Sequence, residues 1–299
     1  MKLGIHIPLE FFTPNQAVQA AQVVEAAGLD HVVVNDHLRL PEGPHINEAW
    51  TVLASMGAVT DRIRLGPCVT PLPLRHPYLL AKMATTLDHL TGGRLILGVG
   101  AGWHREEFEW AGVPFLPHSK RLAQTEEAIQ LLRSYWTEAV TTFQGDYYQI
   151  QDAVLEPKPI QAPYPPFFLG GGSINVLDLI ARYGHGWMPF SPTVSGLRQR
   201  LDQLDAMLVN YGRKLEDLEI IPNILLQFGH SKQEARQGLP KWGTPLSENR
   251  VILGTPADCL KRIHEYVDAG ATHLALRLVQ PDEIKQAITL ITQEIVPNL

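Results

Sequence analysis

Arg94-Leu95-Ile96-Leu97-Gly98-Val99-Gly100-Ala101-Gly102-Trp103-His104-Arg105-Glu106-Glu107-Phe108 reads as a buried strand that stops at three glycines spaced by two, then opens a charged helix. A glycine has no Cβ, so another body can approach the backbone closely there, and a ligand is the natural candidate. One strand–helix unit does not decide a fold, but its repetition does. Apolar, β-branched runs recur at Leu3–Ile7, His31–Asn35, Ile63–Val69, Leu95–Val99, Phe167–Leu169, Gly186–Phe190, Leu218–Leu226 and Leu274–Leu278. Longer amphipathic segments alternate with them: Asn15–Ala27, Asn47–Val59, Pro77–Leu90, Lys120–Trp136, Val176–Tyr183, Gly196–Asn210, Pro256–Ala269 and Asp282–Glu294. Such alternation predicts an α/β protein with a parallel sheet. Eight units close most naturally as a (β/α)8 TIM barrel, with a doubly wound open sheet as the alternative.

Local signals agree with these boundaries. Ala27-Gly28-Leu29-Asp30 and Ala269-Gly270-Ala271-Thr272 each read as a helix ending at a glycine before the next strand, and Thr255-Pro256 as an N-cap followed by proline at the first helical position. The whole span 1–299 is expected to form one barrel domain, since barrels of roughly 250 residues run as one unit. Two segments exceed a minimal barrel and are expected as insertions in the loops after strands. Residues 138–166 hold a possible hairpin at Phe143–Ile150 and then Pro157, Pro159, Pro163, Pro165 and Pro166; residues 229–250 hold Gly238, Pro240, Gly243 and Pro245. Connections this long are usually lids or mobile segments.

Composition bounds the function. The chain is 45% hydrophobic and 19% charged with a net charge of −6, and no basic block points to nucleic acid. The start, Met1–Pro8, is too short and too broken for a signal peptide, and no apolar run approaches a membrane span. Cys68 and Cys259 do not make a disulfide framework. The expectation is a cytoplasmic enzyme acting on a small molecule, without nucleic-acid or membrane partners.

In a barrel, ligands sit at the C-terminal ends of the strands. Those ends carry His6 and Phe11; Asp36 and His37; Cys68, Val69, Thr70 and then Arg75-His76-Pro77; Gly98, Gly100, Ala101, Gly102 and Trp103; Gly170, Gly171, Gly172 and Ser173; Trp187 and Phe190; and Arg277. Each has an ordinary structural reading beside the functional one. Asp36-His37 could be a turn, Arg75-His76-Pro77 the start of a helix, His6 a satisfied core histidine, and Trp103 a packing anchor. The run Gly170–Ser173 before a helix is more telling, because successive backbone N–H groups at a helix start bind anions.

The glycine motif is not a dinucleotide fingerprint. Trp103 stands where the last glycine of G-x-G-x-x-G belongs, and no acid follows about 20 residues on. No Gly-Lys-Ser/Thr follows either, so the P-loop fails. Asp36, His37, His76 and His104 could in principle hold a metal, but neither a His-x-His on the first strand nor a His-Glu-x-x-His occurs, so no metal is expected. The spacing suits a flat ring laid against the barrel mouth.

At this level of detail the chain resembles the luciferase-like monooxygenase superfamily, barrels that use FMN or the deazaflavin F420. The resemblance runs through Ala26–Asp30 to Asp36-His37, Leu65-Gly66 to Arg75-His76-Pro77, Gly92-Gly93-Arg94 to Glu107-Phe108, Pro157–Gly172, and Gly254-Thr255-Pro256 with Ala269-Gly270. Asp36-His37 and the loop Gly98–Trp103 look more like the F420-dependent branch. The resemblance implies F420 as cofactor, with FMN the alternative, and a homodimer. It also implies a non-prolyl cis peptide at Cys68-Val69 that backs the deazaflavin and bends it toward hydride exchange, with Gly170–Ser173 at the cofactor's tail or ring edge. One departure stands out: Trp103 occupies the place of the proton-donating glutamate of the F420-dependent sugar-phosphate dehydrogenases, and Pro189-Phe190-Ser191-Pro192 lacks their phosphate-binding lysine. Phe11, Phe12, Trp103 and Phe190 suggest an apolar or aromatic substrate instead, and Arg277 is expected beside them as a substrate-binding residue. His37 is the expected proton-handling group, with Asp36 orienting it or binding the cofactor's ring, because an imidazole titrating near pH 6.5 suits that task. His6 and His76 are second choices. The competing readings are an FMNH2-dependent monooxygenase whose long segments shield the flavin, and a flavin-binding barrel without turnover.

Overall fold

Period-two alternation sorts each strand's side chains onto two sides, and that sorting builds the molecule. The computed structural model describes residues 1–40, 45–239 and 247–299. Its elements are β1 (Lys2–Ile7), α1 (Pro14–Ala26), β2 (His31–Val34), α2 (Ala49–Ala58), β3 (Arg64–Pro67), β4 (Thr70–Pro71), α3 (Pro77–Leu90), β5 (Leu97–Gly100), α4 (Arg105–Trp110) and α5 (His118–Thr137). There follow β6 (Thr141–Gln144), β7 (Gln149–Ala153), β8 (Phe167–Gly170), α6 (Ile174–Tyr183), β9 (Gly186–Met188), α7 (Val194–Leu208), β10 (Glu219–Ile220) and β11 (Asn223–Phe228). The last are α8 (Lys232–Gln237), β12 (Ile252–Gly254), α9 (Pro256–Asp268), β13 (His273–Arg277) and α10 (Ile284–Leu290).

All strand pairs except the β6–β7 hairpin are parallel. Two sheets, β12-β11-β13-β1-β2-β3 and β10-β9-β8-β5-β4, are joined by bridges from Leu65 to Leu95 and from Phe190 to Asn223. The result is a closed barrel of eight staves: β1, β2, β3 with β4, β5, β8, β9, β10 with β11, and β13. The alternative open sheet is therefore set aside. The segment Leu218–Leu226 was expected as one strand; it is two, interrupted at Ile221 and at Pro222, which has no N–H to donate. β12 was not anticipated and lies outside the barrel against β11.

Leu3, Ile5 and Ile7 of β1 join the layer shared with the helices, while Gly4 and His6 alternate inward. Val33, Ile96, Phe168, Met188, Ile221 and Ala275 fill the barrel's middle. Below them, at the strands' N-terminal ends, sit His31, Arg64, Glu219 and His273, with Arg64 and Glu219 paired at 2.7 Å. Above them, the inward ends open as the mouth. Gly28 and Gly270 follow their helices at φ +79 and +106, the left-handed conformation that ends a helix. Thr255 and Asp258 form a capping box at α9.

The two long segments part company. Residues 138–166 connect α5 to β8, an α-to-β connection rather than a loop at the mouth, and so cannot serve as the expected lid. The β6–β7 hairpin is followed by a stretch strapped along α3: Tyr78 donates to the Val154 carbonyl at 2.9 Å, and buried Asp88 accepts from the Ile160 and Gln161 amides at 2.8 and 3.0 Å. Residues 229–239 follow β11 at the mouth end and carry α8; Pro240, Gly243 and Pro245 lie outside the described residues.

Candidate active site

One half of the mouth is a wall of backbone. The Cys68–Val69 peptide is cis, and Val69 packs inside the barrel against the glycines of β5 and β8. A Cβ added at Gly100 or at Gly170 would come within 2.8 Å of Val69 Cγ2, and one at Gly98 within 2.0 Å of the Pro67 carbonyl oxygen. At Gly102, φ +70, a Cβ would meet Phe108 at 2.7 Å. The close approach that these glycines permit is thus made by the chain's own Val69, Pro67 and Phe108 before any ligand. This corrects the first reading of the motif. The consequence is still a surface with few side chains, running from Ala101 through Gly170 to Gly172, where a Cβ would meet nothing within 4 Å. Such a surface fits the face of a planar ring. Arg121 holds its Ala101–Gly102 end by both carbonyls at 3.3 Å, and Trp187 donates to the Gly171 carbonyl at 2.6 Å. Ser173 is occupied as the N-cap of α6.

Asp36 follows β2 and is buried, but it does not orient His37. Its carboxylate accepts from Arg75 Nη2 at 2.6 Å and Nε at 3.2 Å, from Thr70 Oγ1 at 2.7 Å and from Trp50 Nε1 at 3.1 Å. Burial alone would lower the Arg75 guanidinium, but Asp36 and then Glu48 outweigh it and hold it above its ordinary range. Asp36 and Thr70 therefore spend their side chains inside the protein, as a brace that ties the ends of β2 and β4 to α2.

His37 turns instead to Glu107 of α4, with Nδ1 at 3.0 and 3.1 Å from the two carboxylate oxygens. Glu107 is 1% exposed and also accepts from the Leu38 amide at 2.6 Å and the Arg39 amide at 3.3 Å. Burial would raise its pKa; the hydrogen bond and charge of His37, with those two amides, outweigh burial and hold the carboxyl below the usual range. An ionised Glu107 keeps the proton on Nδ1 and leaves Nε2 as the acceptor, toward which no described residue bonds. Trp103, 61% exposed, stands edge-on to the His37 ring at 5.8 Å.

The opposite half of the mouth is polar. Glu10, its side chain 2% exposed, pairs with Arg277 and accepts from Asn35 Nδ2 at 2.9 Å. His6 Nδ1 accepts from Asn223 Nδ2 at 2.6 Å, and that amide also faces Cys68 Sγ at 3.7 Å. Burial first, then Arg277, holds the His6 imidazole well below its ordinary range, and burial pushes the Cys68 thiol up to about 12. Phe190, 47% exposed, lies 5.8 Å from the Arg277 guanidinium, and Phe11 is half-buried beside the core.

His76 is removed from the site. Exposed at the start of α3, it accepts from the Tyr78 amide at 3.2 Å as an N-cap, the ordinary reading of Arg75-His76-Pro77. Among the described residues no cluster of His, Cys, Asp or Glu is arranged to hold a metal ion. Reasoning from sequence missed Glu107, Asn223 and the roles of Glu10 and Arg75. Only Glu107 carried a signal, as an acid in the first turn of the helix after the glycines.

The luciferase-like monooxygenase family model matches residues 1–247. The chain is 31% identical over 199 residues to the FMNH2-dependent dimethylsulfone monooxygenase of Pseudomonas putida, a match that spans 66% of this chain and 54% of that one. It is 28% identical to the F420-dependent glucose-6-phosphate dehydrogenase of Intrasporangium calvum, over 95% of each. Among solved structures, an F420-dependent secondary alcohol dehydrogenase in complex with an F420–acetone adduct superposes with TM-score 0.89 at 22% identity, covering 99% of this chain and 98% of that one. The F420-dependent tetrahydromethanopterin reductase of Methanopyrus kandleri superposes with TM-score 0.87 at 20% identity, over 99% of both.

Proposed function

The chain belongs to the luciferase-like monooxygenase family, and from that premise we propose that it is an F420-dependent oxidoreductase acting on a small, uncharged, largely apolar substrate. The observation that carries the proposal is the pairing of His37 with buried Glu107 beside a glycine wall suited to a flat ring. Bound F420 would supply two-electron hydride exchange, as cofactors of this kind do. The chain's part is to hold, orient and move a proton. Ala101 and Gly170–Gly172 would face the ring, together with Val69, which covers Gly100 and Gly170 from inside the barrel. His37 takes the substrate's proton at Nε2, or returns it in the reverse direction, while Glu107 fixes the ring by Nδ1 and stabilises the imidazolium that forms. Trp103 and Phe190 stand exposed at the rim, where their rings offer apolar surface to a substrate.

Full-length curated relatives that use F420, against an FMNH2-dependent relative matched over about half its length, favour the deazaflavin. A sugar phosphate is disfavoured because Arg277, a cation in the polar half of the mouth, is paired with Glu10. Titration of the purified protein with F420 and with FMN, read by fluorescence quenching, tests the proposal. Micromolar binding of F420 and oxidation of F420H2 without oxygen uptake are expected. Oxygen uptake with reduced FMN would favour the monooxygenase reading, and binding of neither cofactor would overturn both.

A further inference from the structure

Two buried polar atoms in the mouth are left over. His6 Nε2 and Asn223 Oδ1 have no hydrogen-bond partner among the described residues, although His6 is 1% and Asn223 2% exposed. Buried polar atoms are almost always paired, and one left unpaired is costly, so two on adjoining side chains mark a place built for something else. Their position says where. His6 is the inward residue next to the end of β1, and Asn223 begins β11 on the far side of β13, so both belong to the inward-facing ring that floors the mouth. The glycine wall rises from β5 and β8 across the barrel.

The chemistry of the pair is specific. Asn223 Nδ2 donates to His6 Nδ1, so a neutral His6 carries its proton on Nε2 as a donor, and Asn223 Oδ1 is an acceptor. Turning the amide over exchanges the roles but still leaves one donor and one acceptor. Neighbouring charge is already cancelled, because Glu10 and Arg277 face each other in a buried ion pair. A carboxylate or phosphate would satisfy only the donor and would bring an unbalanced charge into the floor. A hydroxyl donates and accepts.

We propose that His6 and Asn223 form a recognition niche for a hydroxyl group, so that the substrate is a neutral hydroxylated molecule whose apolar part lies toward Trp103 and Phe190. The proposal deepens the reading above and rests on it only for the niche facing a substrate; the binding itself is testable without cofactor. Benzyl alcohol, toluene and benzoate are titrated into the protein, with and without F420, by calorimetry and by NMR of the His6 and Asn223 side-chain N–H groups. Benzyl alcohol is expected to bind roughly ten- to a hundredfold more tightly than toluene and also more tightly than benzoate, and to shift both side-chain signals. Asn223→Leu and His6→Phe should each erase the preference for the alcohol; a melting curve checks that they fold, and the wild-type NMR shifts stand if they do not. Equal binding of toluene, tighter binding of benzoate, no binding of benzyl alcohol, or an alcohol preference that survives Asn223→Leu would each overturn the niche. If neither F420 nor FMN binds yet the alcohol preference holds, the redox proposal falls and this one stands.

Discussion

The buried histidines at the closed end of the barrel make stability depend on pH in a calculable way. His31 and His273 are 2% and 5% exposed, with rings 5.9 Å apart, and Arg64 lies among them. Burial first, then the neighbouring histidine and Arg64, lowers His31 to about 3; burial, with opposing help from Glu219, lowers His273 to about 4. Both are therefore neutral in the folded chain, whereas in the unfolded chain each takes up a proton near pH 6.5. As pH falls through 6.5 the unfolded state binds more protons, so stability is lost down to about pH 4 for His273 and about pH 3 for His31, where the folded state also becomes protonated. At about 1.36 kcal/mol per unit, the loss between pH 7 and pH 5 is about 2 kcal/mol for each histidine and about 4 kcal/mol for both. Urea unfolding at these two pH values, in the wild type and in His31→Gln/His273→Gln, isolates this pair from every other titrating group. The double variant is expected to lose about 4 kcal/mol less than the wild type over that interval. An equal loss in both would refute the argument, because the two histidines would then be protonated in the folded state.

Three further outcomes follow from the site and its supports. Glu107→Gln keeps an oxygen for the Leu38 amide but lets its own N–H₂ face His37 Nδ1, so 15N NMR should show the proton moved to Nε2; turnover is expected to fall by about 10²- to 10⁴-fold with F420 affinity retained. Gly100→Ala places a methyl 2.8 Å from Val69 Cγ2, and overpacking of that kind costs about 1–3 kcal/mol; calorimetric melting should register it together with weakened F420 binding. Asp88→Ala leaves the Ile160 and Gln161 amides without their buried acceptor, so faster hydrogen exchange at 158–163 is expected, with the affinity for F420 unchanged.

The eight staves were legible because each burial face repeats at short range. Leu3, Ile5 and Ile7, or Val32 and Val34, state in five residues which side meets the helices. The site's small-residue wall was legible for a related reason, since glycines at strand ends mark close approach whatever makes it. What approached was not legible. Val69 reaches Gly100 and Gly170 through a fold, not a motif, and sequence spacing contains no term for that. The partner of His37 was misassigned for the same reason: Asp36 is adjacent in sequence, but successive residues leaving a strand point to opposite sides. Glu107 lies 70 residues away and yet in contact. The connection 138–166 was misread because length suggests a lid, while only the order of elements shows that it returns to the closed end of the barrel.

The mouth divides into two halves with different chemistry. On β5 and β8 the chain withholds side chains, and Val69 lies against Gly100 and Gly170 inside the barrel, with Phe108 against Gly102. On β1, β11 and β13 it supplies polar groups in matched pairs: Glu10 with Arg277, and His6 with Asn223. His37 stands on β2's extension between the halves, with its carboxylate partner behind it and its free nitrogen forward. A group that moves a proton is needed where ring and substrate meet, and the alternation of β1, β2 and β3 around the barrel puts His37 at that border. Hence a substitution on the glycine side should change cofactor affinity, one on the polar side should change substrate preference, and only His37 or Glu107 should change turnover while leaving both bindings intact. Loss of F420 affinity on substituting Asn223, or loss of benzyl alcohol preference in Gly170→Ala, would show that the halves are not separate.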